Sequence, residues 1–223
     1  MKIQQIAAGV ALALVSMAAF SADNVLQVGV SYIGVHSKSA DFTSNGPAFL
    51  TPQPAGINVA DATTLSIGYT RHLDQNWDIN VLLGIPPQHS IKGRGTLAPF
   101  GEISTVKQAG PTVLVNYNFG KEGATWRPYV GVGVNFTHFY AITSTASGNL
   151  ASGGPTSTTL KNSLGAAAQA GLNLKVTDQW SLNASVALAR VKTDMVASTG
   201  SIDRKTQIDL RPVVFTVGVS TGF

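Results

Sequence analysis

Hydrophobic and polar residues alternate over long stretches of this chain. The clearest case is the C-terminal segment VVFTVGVSTGF, residues 213–223. Alternation with a period of two places successive side chains on opposite faces of a β-strand, so this segment is predicted to be a strand with one apolar face. The residues on that face are Phe223, Thr221, Val219, Val217, Phe215 and Val213.

Eight segments of the chain have this pattern and a length that suits a membrane-spanning strand, about 9 to 11 residues or more. They are residues 25–36, 63–72, 77–85, 111–119, 127–140, 163–175, 180–191 and 208–223.

The connections between these segments alternate strictly between short and long. The short ones are residues 73–76, 120–126 and 176–179, and the long ones are residues 37–62, 86–110, 141–162 and 192–207. Short periplasmic turns that alternate with longer extracellular loops are typical of outer-membrane barrels. The pattern predicts an all-β fold, an eight-stranded antiparallel transmembrane β-barrel of the outer membrane. An even number of strands places the N- and C-termini together in the periplasm.

Composition supports a membrane protein over a soluble β-sandwich, whose strands also alternate. Charged residues are 12% of the 223 residues and hydrophobic ones 44%, which is a low charge content for a surface in water. Lys2 precedes an apolar run, residues 6–20, and small residues follow at a cleavage site after Ser21, or alternatively after Ala22. We therefore expect residues 1–21 to be a cleaved signal peptide and residues 22–223 to form a single barrel domain.

Charge and cysteine content exclude several other classes of protein. The formal net charge is +4, but Lys and Arg are scattered singly apart from Arg204 and Lys205, so no nucleic-acid partner is expected. The chain has no cysteine, which excludes a disulfide framework, a lipoprotein anchor and a cysteine-based metal site. No cofactor and no metal site are expected.

Strand parity divides the residues that face the barrel interior into two zones. An apolar upper lumen, interpreted as the substrate path, contains Leu82, Leu114, Ala167, Ala187, Ala189 and Val214, with Gly131 and Gly133 leaving space. A polar floor contains Asp78, Asn80, Asn116, Asn118 and Asn183, together with Gln27, Asn173, Ser181 and Ser220. The apolar zone is equally consistent with simple filling of the barrel, because eight strands enclose only a narrow interior.

The prolines at the rim of the third and fourth strands indicate where the wall could open. Pro86, Pro87 and Pro111 cannot donate ladder hydrogen bonds, and we interpret them as candidates for a lateral exit. The alternative is that they merely end the strands. With a narrow lumen and a polar floor, the hypothesis is passive delivery of a hydrophobic molecule sideways into the bilayer.

Four stretches of the chain resemble the OmpW family, including its AlkL-like members. They are AGPTVLVNYNFG, RPYVGVGVNFTHFY, SLGAAAQAGLNLKVTDQWSLNASV and IDLRPVVFTVGVSTGF, and they occur in the family's order and spacing. The resemblance implies a channel for small hydrophobic solutes, surrounded by outer-membrane lipids. It also implies that Phe223 is an assembly signal for the barrel-assembly machinery, although Thr221 departs from the bulkier residue usual in the family.

Two other kinds of function are considered. Outer-membrane barrels can carry hydrolytic sites, and the candidates here are His89, Ser90 and Glu102 in one long loop, but nothing in their spacing fixes a catalytic geometry, so no enzyme is expected. The remaining histidines, His36, His72 and His138, are isolated residues at strand ends. In the other alternative, the barrel is an anchor that presents its long loops as an adhesin or receptor surface.

Overall fold

The computed structural model describes residues 23–223, so the expected signal peptide and its cleavage site lie outside the described residues. Within them the chain forms fourteen β-strands, two short 3-10 helices (Ala48–Leu50 and Ala98–Phe100) and one helix, α1 (Ala146–Ser152). The strands are β1 (Asn24–Ser39), β2 (Thr43–Ser44), β3 (Ala55–Val59), β4 (Ala62–His72), β5 (Trp77–Gly84), β6 (Gln88–Gly95), β7 (Glu102–Ala109), β8 (Thr112–Asn118), β9 (Trp126–Ser144), β10 (Ser157–Leu160), β11 (Ser163–Lys175), β12 (Trp180–Ala189), β13 (Val191–Thr199) and β14 (Ile202–Gly222).

Eight of these strands close into an antiparallel ring. Around the ring the order is β1, β4, β5, β8, β9, β11, β12 and β14, after which β14 pairs with β1. The closing seam between β1 and β14 runs in register from Val25↔Gly222 to Ser39↔Ile208. The predicted eight-stranded antiparallel barrel is therefore confirmed.

The predicted long connections contain regular structure that the sequence analysis did not identify. Strands β2, β3, β6, β7, β10 and β13, helix α1, and the extensions of β1, β9 and β14 beyond the ring form a second layer at one end, which we call the crown. In the crown, β3, β6 and β7 pair in that order onto β9, while β10 and β13 pair onto β14. The opposite end, the turn end, holds the three short connections.

One predicted strand is divided in two. The alternation in residues 180–191 predicts a single strand, but β12 ends at Ala189 and β13 begins at Val191. The register of β12 with β14 ends at Leu188↔Val213, and the next position on β14 is Pro212, which has no N–H to donate. Pairing resumes at Val191↔Leu210, so β13 belongs to the crown.

Large apolar side chains cover the outside of the ring. Val30, Val132 and Val217 expose 51%, 68% and 66% of their surface. A continuous apolar belt of this kind is costly in water, at about 25 cal/mol per Å², and is what a lipid-facing surface requires. At the turn end, Trp77 and Trp180 open β5 and β12 and are exposed, as an interfacial aromatic belt requires. The described residues include no helix long and apolar enough to span a membrane.

The buried apolar core of the described chain lies in the crown. We call this cluster the crown core. It joins β3, β6, β7, β9, β13 and β14, which are also connected by ladder and side-chain hydrogen bonds. Its members are Phe42, Ala55, Ile57, Ile91, Ile103, Val106, Phe139, Val191, Met195, Ala197, Ile208 and Leu210.

Candidate functional site

The ring interior near the turn end is closed by hydrogen bonds around Asp78. Asp78, on β5, accepts one hydrogen bond from Asn116 Nδ2 at 2.7 Å and another from Asn118 Nδ2 at 2.6 Å, both on the neighbouring strand β8. Gln169 Nε2, on β11, donates to Asn116 Oδ1 at 2.7 Å. Asp78 and both asparagines are at least 97% buried, with exposures of 3%, 3% and 1%. Side chains of β8 and β11, which are not neighbours in the ring, therefore meet directly in its interior.

The second half of this network is centred on Asn183 of β12. Asn183 Nδ2 donates to Asn173 Oδ1 at 2.7 Å and to the Tyr129 hydroxyl at 3.1 Å, and Asn183 Oδ1 accepts from Gln27 Nε2 at 3.0 Å. Asn80, a further member of the predicted set, donates to Thr70 Oγ1 at 2.8 Å. The structure thus brings together the residues named for the polar floor. Below them, at the turn end, lies a separate cavity of about 290 Å³.

Two members of the polar floor were not named in the sequence analysis. Tyr129 and Gln169 are buried and take part in the network. Both could have been found from strand parity, because Gly131 and Ala167, two residues away on the same strands, were assigned to the interior, which places Tyr129 and Gln169 inside as well. Tyr129 was missed because an aromatic residue near a strand end is usually expected in the interfacial belt.

Above the polar floor lies a partly open space of about 150 Å³, the lumen cavity. Of the residues predicted for the upper lumen, Leu82, Ala167, Ala187, Ala189 and Val214 line it. Leu114 does not line it and is instead fully buried, paired with Asn80 of the polar floor. None of the described lining residues is Asp, Glu, Lys or Arg. Hydroxyl groups in the wall bond to one another, as Ser31 does with Ser66 at 2.9 Å and with Thr216 at 2.7 Å. His89 also lines the cavity, and its buried Nε2 has no described partner.

The interpretation that Gly131 and Gly133 leave space in the lumen is wrong. A Cβ atom on Gly133 would overlap Val113 O, and one on Gly131 would overlap Asn116 Oδ1. The glycines therefore allow β8 and the Asn116 side chain to approach β9 closely. The room above the floor comes instead from the small side chains of β11 and β12.

The barrel wall is interrupted between β5 and β8. Their register ends at Leu82↔Thr112, and pairing resumes only in the crown, at Gln88↔Lys107 between β6 and β7. Between these points the structure gives one backbone bond, from Gln108 N–H to Pro87 O at 3.3 Å. On its other edge β5 remains attached to β4, through Ser66↔Gly84 and the bond from Ile85 N–H to Leu65 O at 2.8 Å.

The prolines named as lateral exit candidates flank this interruption, which we call the wall break (residues 83–87 and 108–111). Pro87 lines the lumen cavity, as do Leu83, Gly84 and Gly110 next to it, whereas Pro86 and Pro111 do not. Strand parity places Leu83, the neighbour of the inward-facing Leu82, on the outer face, so its place in the lining indicates that the cavity extends into the wall here. Asn135 Nδ2 donates to Gly110 O at 3.2 Å and to Thr112 Oγ1 at 2.8 Å, which holds the β8 edge of the break in position.

The residues considered for hydrolysis do not form a triad. Ser90 Oγ donates to Glu102 Oε2 on one face of β6, whereas His89 faces the interior and donates from Nδ1 to Ala60 O at 2.8 Å. Burial lowers the pKa of the His89 imidazole, which favours its neutral form. No described hydrogen bond joins His89 to Ser90 or Glu102, so the arrangement lacks the contact between base and nucleophile that catalysis would need.

The crown contains a third cavity, of about 340 Å³, above the crown core. Aromatic and aliphatic side chains from the two 3-10 helices and from α1 form much of its wall, including Phe49, Phe100 and Leu150. Phe49 and Leu150 are also 76% and 75% exposed, so the rim is apolar as well. From the crown end towards the turn end, the order is therefore crown cavity, crown core, lumen cavity and polar floor.

The C-terminal Phe223 lies at the turn end beside the start of β1. Its N–H donates to Asn24 O at 2.9 Å, and its side chain is 40% exposed. It therefore closes the ring and belongs to the aromatic belt at that end. Its role as an assembly signal stays a prediction.

A closed ring of eight strands with an apolar outer belt and an aromatic rim defines an integral membrane β-barrel. The model of the OmpW family matches residues 21–223, so the chain belongs to the OmpW family and is an outer-membrane protein. This confirms the resemblance found in the sequence.

Individual relatives agree with this assignment. The chain is 31% identical to outer membrane protein W of Vibrio cholerae over 196 residues, which are 87% of this chain and 86% of that protein. It is 26% identical to outer membrane protein AlkL of Ectopseudomonas oleovorans, covering 90% and 82% of the two chains. The crystal structure of OprG from Pseudomonas aeruginosa superposes with a TM-score of 0.81 at 22% identity, covering 90% and 95%. That structural similarity supports the fold.

Proposed function

We propose that this protein lets small hydrophobic molecules cross the outer membrane passively and releases them sideways through the wall break into the bilayer. In this proposal the crown faces the outside and the turn end, with both chain ends, faces the periplasm. The observation that carries the proposal is that an apolar lumen cavity lies directly above a closed polar floor and extends into an interrupted stretch of the wall.

The polar floor makes straight passage unfavourable for a hydrophobic solute. To pass it, the solute would have to separate buried groups such as Asp78 and Asn118 without replacing their hydrogen bonds. Each buried polar group left without a partner costs about 1–3 kcal/mol. An apolar solute gains no compensating contact there, so the route through the floor is the more costly one.

The wall break offers a lower-cost route. Pro87 and Pro111 have no N–H, so part of the ladder between the two edges cannot form even when they approach each other. A solute that moves from the lumen cavity past Leu83 exchanges one apolar environment for another, the hydrocarbon of the bilayer. Over the whole passage from water to the bilayer, the solute gains the transfer free energy of its apolar surface, about 25 cal/mol per Å².

The test restores the missing donors at the wall break. We expect the double variant Pro87→Ala, Pro111→Ala to reduce the uptake of a radiolabelled hydrophobic tracer, such as naphthalene, by cells that express equal amounts of folded barrel. Pro128→Ala is the matched control, because Pro128 is a proline of ring strand β9 that pairs with Leu172 far from the break. Expression should raise uptake relative to cells without the gene, and the control variant should retain that increase.

Two outcomes would contradict the proposal in different ways. Unchanged uptake in the double variant would exclude the wall break as the exit. Equal uptake with and without the gene would exclude hydrophobic transport itself, and the function would then lie in the crown, with the barrel as an anchor for an adhesin or receptor surface.

A further inference from the structure

The crown cavity has one charged residue among the described residues that line it, and this is Arg204 of β14. The rest of the wall is apolar or carries hydroxyl and backbone groups. Arg204 is only 7% exposed, although arginine is rarely buried to this extent without an acidic partner. A guanidinium stays protonated in proteins, so the cavity wall carries a permanent positive charge.

All the described hydrogen bonds of Arg204 go to uncharged oxygens. Nε donates to Thr51 Oγ1 at 3.1 Å and Nη1 to Thr199 Oγ1 at 3.2 Å. Nη2 donates to Leu50 O at 3.2 Å and to Ser152 O at 3.3 Å. These four bonds use four of the five N–H groups of a guanidinium, which leaves one N–H on Nη1 without a described acceptor.

Two other arginines of the crown region are more exposed and do pair with a carboxylate. Arg94 and Arg211 are more exposed, yet they pair with Asp41 at 2.5 Å and with Asp209 at 3.2 Å. Within residues 23–223 no carboxylate forms an ion pair with Arg204. Of these three arginines, the buried one is the one without a carboxylate partner in the described residues, although ion pairing matters most where water is excluded.

We propose that the crown cavity binds an amphipathic carboxylate, with its apolar chain or ring against the aromatic wall and its carboxylate on Arg204. The free Nη1–H supplies a charge-assisted hydrogen bond, which is stronger than one between neutral groups. The apolar wall next to a single charged group fits a hydrophobic body with a singly charged head. This inference deepens the proposed function, since it names a solute class that would be held at the crown before it enters the barrel.

The first experiment measures binding to the purified full-length barrel in lipid nanodiscs, with empty nanodiscs subtracted. The probes are decanoate, decanol and decylammonium, which share one chain and differ in the charge of the head. We expect decanoate to bind at least tenfold more tightly than decanol, and decylammonium to bind more weakly than decanol. Equal binding of decanoate and decanol would overturn the proposal, as would tighter binding of decylammonium.

Variants separate the charge from the fold. Arg204→Met should abolish the preference for decanoate and leave the binding of decanol within about threefold. Arg204→Lys should keep a preference for decanoate, because it retains a charge in the cavity. Arg94→Met, which removes one positive charge from the crown outside the cavity, should leave the preference unchanged. The same loss in the Arg94 and Arg204 variants would show a general electrostatic attraction and overturn the site.

A cavity-filling variant tests the location without altering Arg204. Met195→Trp should weaken decanoate and decanol alike by at least fivefold, because Met195 lines the cavity beside the apolar wall. If decanoate binds as before, its site lies elsewhere. These experiments measure binding without flux, so a failure here leaves lateral transport standing. Conversely, loss of transport with intact decanoate binding would exclude lateral transport and leave the carboxylate site standing.

Discussion

The two halves of the barrel interior are closed by different chemistry. The polar floor is held by directional bonds among buried side chains of β1, β5, β8, β9, β11 and β12. The upper half is closed by van der Waals contact around the lumen cavity, and its wall is interrupted between β5 and β8. The difference teaches that one ring can be closed by hydrogen bonds at one level and by apolar contact around a cavity a few residues higher. In the proposed function, hydrophobic solutes leave the barrel only at the upper level.

The largest expected effect is the loss of the polar floor. Asp78→Ala leaves Asn116 Nδ2 and Asn118 Nδ2 without their acceptor. We expect the free energy of unfolding to fall by about 2–6 kcal/mol, since each of the two buried donors costs about 1–3 kcal/mol. Small polar solutes should also leak into proteoliposomes. Denaturant titration and a swelling assay measure the two effects. Asp178→Ala, at an exposed residue of the turn end, is the control and should do neither.

The second prediction compares one added charge at the two levels of the same strand. Leu82→Asp places a carboxylate in the lumen cavity and should lower hydrophobic uptake by at least tenfold, because an uncompensated charge in an apolar space costs several kcal/mol. Asn80→Asp adds the same charge within the polar floor and should leave uptake within about twofold. Equal losses in the two variants, at equal amounts of folded barrel, would remove the distinction between the halves.

Strand β9 offers a third test, at neighbouring glycines on the two levels. Gly133→Ala should destabilise the barrel by about 1–3 kcal/mol, because its methyl group would overlap the β8 backbone, which cannot move alone. Gly131→Ala meets the Asn116 side chain, which can turn away if its bond from Gln169 breaks. We expect a smaller loss of stability there, together with a leak of polar solutes. A larger loss of stability for Gly131→Ala than for Gly133→Ala would show that the Asn116 side chain is held more rigidly than the β8 backbone.

The smallest effect is expected at the crown side of the lumen cavity, where Asp61 holds the link between β3 and β4. Its carboxylate accepts from Tyr32 Oη at 2.6 Å and from Val35 N–H at 2.7 Å, which lowers the pKa of Asp61. The Asp61 carboxylate therefore contributes its full stabilisation above the pKa of an aspartate in the unfolded chain, about 3.9. This stabilisation is lost as the pH falls through the lower pKa of Asp61 in the folded protein. The protection factor of the Val35 amide, which is corrected for the pH dependence of intrinsic exchange, should fall only at the acid end, and Asp61→Asn should remove that fall. Protection of Val35 that is already lost near pH 6 would contradict this.

Strand parity explains why so much of the ring and its interior follows from the sequence. A side chain two residues from a lipid-facing valine must face the same way, which is why residues as far apart in the chain as Asp78 and Asn183 could be assigned to one interior face. Strand parity shows which face of the sheet a side chain lies on, but not how far it is from its neighbours. It could not show that Gly131 and Gly133 serve a close approach of strands, because that depends on what the neighbouring strand presents.

The crown was not predictable in the same way. Strands such as β10 are short, and β13 pairs with an extension of β14 that local periodicity alone does not delimit. Burial of Arg204 runs against the usual preference of arginine for the surface, so no sequence pattern would indicate it. These features depend on which long-range pairings form, and a single sequence does not specify those pairings locally.

The length of the continuous strands has a mechanical consequence. Strand β14 has 21 residues and β9 has 19, so at about 3.3 Å per residue each is about 60–70 Å long and passes from the ring into the crown without a break. Such long, continuous strands resist bending, so we expect the crown to stay fixed to the ring rather than to move as a hinged lid. The backbone ladder is discontinuous at residues 83–87, at residues 108–111 and at Arg190, and its register shifts again at Ile91/Lys92 and Thr105/Lys107, so we expect bending at these points. The proposed opening of the wall would therefore bend the crown as well.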